Sequence, residues 1–218
     1  MKSFVVIGLG RFGTSVAKTL YNLGNEVMAV DLDPDVVQEI SEYVTHAVVA
    51  DALDETVLHE LGLSNFDVVI ISIASNIEAS IMATLTAKEM GAKKVVVKAQ
   101  SDVHGKVLTK VGADRIVFPE RDMGARVAHN LTSSNILDFI ELSPEYYIIE
   151  ITALERWINK SLSELRLRNK YGVNVLAIKR GSSLKISPVA DEIVLEGDIL
   201  VVIGDEKDIR KIESQAGD

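Results

Sequence analysis

The chain has 218 residues, a formal charge of −9 at pH 7 and no cysteine, which excludes disulfides and thiolate metal sites and fits a reducing compartment. Its acidity argues against broad adhesion to nucleic acid or anionic lipid, since both need clustered Lys and Arg facing phosphates. The longest apolar runs, such as 68–73 and 199–203, fall far short of the ~20 residues of a membrane span, so a soluble, cytoplasmic protein is expected, its membrane association running through a protein partner.

The start reaches Gly8 after four apolar residues, too few for the apolar core of a signal peptide. Up to residue 118, short β-branched runs alternate with longer amphipathic stretches, the signature of a parallel sheet covered by helices. Strands are expected at 4–7, 26–30, 46–49, 68–73, 94–97 and 115–118, with helices at 13–23, 34–42, 54–61, 77–90 and 103–111. Gly24, Gly62, Gly91 and Gly112 stand where four of these helices stop. Pro119 opens a further helix, with Glu120 and Asp122 in the first turn, where the helix dipole favours acids. A polar break, Thr132-Ser133-Ser134-Asn135, follows; beyond Pro144 strand-like runs fall at 147–151, 173–179, 184–186 and 198–203. The expected fold class is α/β. A doubly wound parallel Rossmann sheet with a crossover helix spans 1–135, and a small α+β subdomain spans 136–218.

The sequence Gly8-Leu9-Gly10-Arg11-Phe12-Gly13 follows the first strand and opens the first helix, the context that a dinucleotide fingerprint requires. Gly8 permits the tight turn, Gly10 lets backbone N–H groups approach a pyrophosphate at the positive helix end, and Gly13 allows the helix to lie close to the sheet. Asp31 ends the second strand, where a carboxylate accepts hydrogen bonds from ribose hydroxyls and disfavours a 2′-phosphate. Arg11 either reaches further anionic oxygens of a polyphosphate or stays a solvated helix-start arginine. Lys98, after the fifth strand, adds positive charge at the carboxyl edge of the sheet.

Residues for catalysis are poorly placed. His46 begins a strand, His59 and His129 fall in helices, and His104 near the carboxyl edge is the one expected to face a ligand. The second half carries no histidine and no Gly-x-Ser-x-Gly elbow, and nothing in it names a reaction.

The glycine loop and Asp31, together with the stretches 97–100 (Val-Lys-Ala-Gln), 112–123 (from Gly112 through Phe118-Pro119-Glu120 to Met123), 168–179 and 196–204, carry a resemblance along the whole chain. It resembles the Ktr/Trk-type regulators of potassium uptake, built on the RCK domain, and within them the KtrA/KtrC-like subunits. The resemblance implies a cytosolic octameric ring, a tetramer of dimers, docked on the inner face of the membrane beneath a potassium-translocating subunit. It implies ATP and ADP competing for the Rossmann cleft, with Gly10, Asp31, Asp33, Asp51 and Lys98 lining the pocket and Arg11 near the terminal phosphates; Asp33 and Asp51 read equally as ordinary loop carboxylates. Glu120 corresponds to a carboxylate associated with Mg²⁺ or Ca²⁺ held against ATP, although an acid after a helix-opening proline is favourable by dipole alone. In the second subdomain Leu162, Leu167, Arg168, Asn174, Val175 and Pro188 match a region that binds cyclic di-AMP, while the same letters also suit a helix end beside a β core.

A gating module driven by differential nucleotide binding is thus the expected function, and not an enzyme. A small NAD(H)-dependent oxidoreductase is the rival that the fingerprint also allows, and a structural oligomer with a vestigial cleft is the third.

Overall fold

The computed structural model describes residues 1–73, 76–132, 136–143 and 145–214. By its internal packing the chain divides into two compact units, Met1–Glu120 and Arg121–Asp218.

The first unit is a parallel six-stranded sheet. Its strands are β1 (Ser3–Ile7), β2 (Glu26–Asp31), β3 (His46–Val49), β4 (Val68–Ile71), β5 (Val95–Lys98) and β6 (Arg115–Val117), in the order β3-β2-β1-β4-β5-β6. Its helices are α1 (Arg11–Asn22), α2 (Pro34–Ile40), α3 (Glu55–Glu60), α4 (Ile77–Glu89) and α5 (Asp102–Lys110). Period-two alternation gives the sheet two buried faces. Val5 and Ile7 of β1 join Val69, Ile71, Val95 and Val97 on one face, against Leu58 of α3, Ala83 and Ala87 of α4 and Leu108 of α5. Val6 joins Val27, Ala29 and Ile70 on the other, against Ala17 of α1 and Val37 and Ile40 of α2.

Strand and helix bounds agree with the sequence reading to within two residues, β4 showing one of the differences. The apolar run 68–73 extends it to Ile73, but the strand ends at Ile71, and Ser72 and Ile73 lie against Gly8 of the glycine loop. The α2 stretch likewise tightens into a 3₁₀ turn at Ser41–Tyr43 instead of continuing to Glu42 as α-helix.

A helix opened by Pro119, α6 (Pro119–Thr132), carries the division between the units near its first turn. The sequence reading puts the domain boundary at 135/136, where polarity changes; by internal packing the chain divides at Glu120/Arg121. The polar break at 133–135 and Pro144 lie outside the described residues.

The second unit is an antiparallel sheet of five strands: β7 (Ile136–Glu141), β8 (Tyr146–Thr152), β9 (Asn174–Arg180), β10 (Ser183–Ile186) and β11 (Ile199–Asp205), ordered β10-β9-β11-β8-β7. Two short helices, α7 (Leu162–Leu165) and α8 (Leu167–Tyr171), precede β9, and α9 (Glu206–Ser214) follows β11. Ile149, Ile151, Ile178, Leu200 and Val202 form the apolar face, packed with Trp157, Leu165, Tyr171, Ile209 and Ile212. The fully buried Asp198 accepts two hydrogen bonds of 2.7 Å from Arg180 and one of 2.9 Å from the Leu195 N–H, so its charge is matched where burial would otherwise penalise it.

Candidate nucleotide-binding site

The strand order runs outward in both directions from the adjacent pair β1 and β4, and open α/β sheets hold ligands at the carboxyl edge of such a switch point. The glycine loop lies there. Gly8 leaves β1 at φ 91°, and a Cβ on it would stand 3.0 Å from both Ile73 N and the Ser72 carbonyl carbon. A Cβ on Gly13 would collide with the Gly8 carbonyl oxygen, so only glycine lets α1 sit this close to the turn. Gly10 differs from both: nothing lies within 4 Å of where its Cβ would be. The protein's own packing does not demand glycine there; the space beside it is open.

Gly10 is also the N-cap of α1, with no side-chain cap and no acid in the first turn. Asp33, Asp54, Asn76 and Ser101 cap α2, α3, α4 and α5 with a side-chain oxygen. Among these five helices, then, α1 alone offers its leading N–H groups and its positive end without a side-chain acceptor of its own.

Asp31 faces the loop directly. Its Oδ2 accepts from Leu9 N–H at 2.5 Å and its Oδ1 from Asp33 N–H at 3.0 Å. The carboxylate that the sequence assigns to ribose thus also braces the loop, with further lone pairs to spare. Asp33 caps α2 through Asp35 N–H at 2.9 Å, and Asp51 closes a turn on Leu53 N–H at 2.9 Å; both carboxylates are exposed and carry ordinary local duties. Arg11 is exposed on the first turn of α1.

Lys98 is the last residue of β5 and is 7% exposed. Its ammonium lies 5.9 Å from the centre of the Phe12 ring and pairs with the carboxylate of Glu120. That hydrogen bond from Lys98 holds the Glu120 carboxyl below the usual carboxylate range. The sequence names Lys98 and Glu120 separately, and the adjacent ends of β5 and β6 bring them together.

Two further residues depart from the sequence reading. His104 does not face a ligand: it is 3% exposed within α5, its Nδ1 accepts from Gln100 N–H at 3.4 Å, and burial lowers its pKa. The first turn of α5 points it inward rather than toward the edge of the sheet. Ser72, which sequence reasoning passed over, is buried at the end of β4 with its hydroxyl 3.2 Å from where a Cβ on Gly13 would stand.

In the second unit Leu162, Leu167, Arg168, Asn174, Val175 and Pro188 line one open cavity of about 360 Å³. Arg166, missed by sequence reasoning, joins them with a left-handed backbone at φ 47°. No local signal marks that position, since the left-handed region favours glycine and asparagine over arginine.

The TrkA-N domain family matches residues 4–119 and the TrkA-C domain family residues 146–217. The Ktr system potassium uptake protein C of Bacillus subtilis (strain 168) is 52% identical over 214 residues, covering 98% of this chain and 97% of its own. The Ktr system potassium uptake protein A of the same organism is 46% identical, covering 98% and 96%. The chain belongs to the Ktr family of potassium uptake proteins. These relatives are components of transport systems and not enzymes, so the oxidoreductase alternative is set aside.

The fold of this Ktr chain also has solved counterparts. The GsuK RCK domain superposes with a TM-score of 0.71 at 19% identity, over all of this chain and 48% of that one. A structure described as the GsuK channel bound to NAD gives 0.69 at 18% identity, over all of this chain and 40% of that one. At these identities the likeness establishes the RCK fold. Among its described residues the Ktr chain has no helix long and apolar enough to cross a membrane.

Proposed function

We propose that this chain is the cytosolic regulatory subunit of a potassium-uptake system, switched by which adenine nucleotide occupies the first unit. The observation that carries the reading is α1: a helix start without a side-chain cap, behind Gly8 and Gly13, with open space at Gly10 and with Asp31 and Lys98 to either side. Phosphates take the N–H groups and Lys98, while ribose takes Asp31. Arg11 reaches the terminal phosphate, and Asp33 and Asp51 line the adenosine side of the same edge. The ligand class is ATP and ADP, with NAD(H) sharing the adenosine half.

A single carboxylate does not make a cation site, because Mg²⁺ and Ca²⁺ take six or more oxygens. Among the described residues no group of three or more acids and histidines converges. Glu120 fits as one ligand of a Mg²⁺ or Ca²⁺ otherwise held by ATP phosphates.

Family resemblance supports a homo-octamer, a tetramer of dimers, seated on a membrane-embedded potassium-translocating subunit at the inner face of the membrane. Its work comes from differential affinity: a nucleotide shifts the ring only by as much as it binds one state better than the other. The test is calorimetry with ATP and ADP on wild type and Arg11→Ala, run beside light scattering. Arg11→Ala is expected to lose about tenfold in ATP affinity and much less in ADP affinity, the size of one charge-assisted hydrogen bond, and the scattering mass is expected to be that of eight copies. Equal losses for the two nucleotides remove Arg11 from the switch, and a monomer with and without ATP removes the ring.

The cavity of the second unit is proposed to bind cyclic di-AMP, with Arg168 on a phosphate and Leu162, Val175 and Pro188 against adenine. Cyclic di-AMP is expected to raise the melting temperature of wild type and not of Arg168→Ala. The same rise in both proteins refutes the assignment of Arg168.

A further inference from the structure

We propose that the second unit carries a further anion site, a cavity walled by Arg156, Lys160 and Lys170 that takes a pyrophosphate-type group, two linked phosphates. It is separate from the cavity that holds Arg168: Arg168 and Lys170 stand two apart in α8, about 200° around the helix axis, and each lines a different cavity. The cations come from three segments. Arg156 lies in the 3₁₀ turn Glu155–Trp157, Lys160 just before the Ser161 cap of α7, and Lys170 in α8. The core joins them, since the buried rings of Trp157 and Tyr171, next in the chain to Arg156 and Lys170, have centroids 6.1 Å apart. The Lys160 backbone is fixed as well. Asn159 adopts a left-handed φ of 61° and donates to the Val194 carbonyl at 2.8 Å, while Val194 N–H donates to the Lys160 carbonyl at 3.0 Å; asparagine tolerates that conformation better than most residues. The cavity measures about 280 Å³, with Trp157, Leu165 and Tyr171 as its apolar lining and Glu164 as its acid.

Three cations against one acid leave a surplus of two positive charges in this lining, although the chain as a whole carries −9. Glu164 is engaged elsewhere. Its carboxylate accepts from the Ser161 N–H at 2.7 Å and from the Ser161 hydroxyl at 2.9 Å in the capping box of α7, and these bonds hold its carboxyl below the usual carboxylate range. Neither the Lys160 nor the Lys170 ammonium makes a direct ion pair with an acid among the described residues. Like charges gathered at one mouth repel, and a bound anion relieves them. The donors select its chemistry: a guanidinium offers a planar fork and the two ammonium groups offer point charges, a set that suits the neighbouring oxygens of linked phosphates. A carboxylate would neutralise only one charge of the surplus. No stacking face is offered to a base, because Trp157 is 1% and Tyr171 8% exposed. The cavity therefore reads the phosphate pair and not what it is attached to.

Trp157 is the chain's single tryptophan, so its fluorescence reports on this cavity. The test titrates inorganic pyrophosphate, in chelator, into the full chain and into Lys160→Gln, Lys170→Gln, the double variant and Gly10→Ala. Wild type is expected to show a saturable change in Trp157 emission, and each lysine variant to bind about three- to tenfold more weakly, the scale of a partly exposed charge pair. The double variant is expected to lose the response, and added salt to weaken it. Both lysines are exposed, so the variants are expected to melt as wild type does. Gly10→Ala, altered only in the first unit, is expected to respond as wild type. ADP run in parallel distinguishes the carriers: a Trp157 response lost in the double variant seats a nucleotide-borne diphosphate here, and a response to pyrophosphate alone assigns the cavity to the free anion. No Trp157 response to pyrophosphate overturns the site, as does a response undiminished in the double variant. A response lost in Gly10→Ala and kept in the double variant overturns it too, placing the anion in the first unit and leaving the nucleotide site there standing.

Discussion

Asp31→Ala is expected to weaken ATP, ADP and NADH alike by about 10- to 100-fold, the value of a hydrogen bond to a charged group, about 1.5–3 kcal/mol. Ribose is common to the three ligands, so the loss does not depend on phosphate number. The same substitution strips the acceptor from Leu9 N–H, held at 2.5 Å in a residue that is 4% exposed, and a buried donor left unpaired costs about 1–3 kcal/mol of stability. Asp31→Asn separates the two duties. Its amide oxygen still accepts from Leu9 N–H, so the melting temperature recovers in part, the exposed Asp33 N–H losing its acceptor, while its NH₂ group takes an acceptor away from the ribose hydroxyls. Calorimetry and thermal melts on both variants check this; nucleotide affinity that is unchanged in Asp31→Ala removes Asp31 from the site.

Gly13→Ala is expected to be the most damaging single-methyl change in the loop. The added Cβ meets the Gly8 carbonyl oxygen, a main-chain group that cannot rotate away. Relief requires α1 to move off the sheet, opening the packing of Ala17 against Val6, Val27 and Ala29. Overpacking of this kind costs about 3 kcal/mol, a fall in melting temperature on the order of 10 °C for a chain of this size. A thermal melt within a degree or two of wild type contradicts the close approach of helix and loop.

The first unit was legible because its information is local and periodic. Alternation in β1 separates Val5 and Ile7 from Val6, and proline and the glycines mark where helices start and stop. Gly24, Gly62, Gly91 and Gly112 all adopt the positive φ that such stops use. The glycine loop and Asp31 were legible for the same reason, their spacing being fixed by one strand, one turn and one helix.

What was not legible depends on distance or on short elements. The pairing of Lys98 with Glu120 spans 22 positions and arises only because β5 and β6 are neighbours in the sheet. His104 was placed at the edge from its position in the chain, whereas its direction is set by the turn of α5 on which it lies. In the second unit α7 and α8 are 4 and 5 residues long, too short for a 3.6-residue period to declare itself. The one signal was the Ser161–Glu164 capping box that opens α7. The helix α9 and the strand β7 were likewise passed over, although Ile209 and Ile212, three apart behind Glu206 and Asp208, suit a short amphipathic helix. The six residues of the second cavity were named through family resemblance and not through pattern, and the fold collects them on one surface.

Gly10 offers the most direct test, because its backbone at φ −63° and ψ −175° is open to alanine and no atom of the protein lies within 4 Å of the new methyl. Thermal melts of wild type and Gly10→Ala, alone and with ATP or ADP, therefore separate the ligand's need for glycine from the fold's. Without nucleotide the two proteins are expected to melt within a few degrees of each other, since an N-cap change of this kind costs about 0.5 kcal/mol. With nucleotide at about 100 times its Kd, wild type is expected to gain about 2.7 kcal/mol of stability, and Gly10→Ala, whose methyl stands where a phosphate must approach the α1 N–H groups, to gain little or none. Equal nucleotide-induced shifts in the two proteins would contradict a phosphate site at the start of α1.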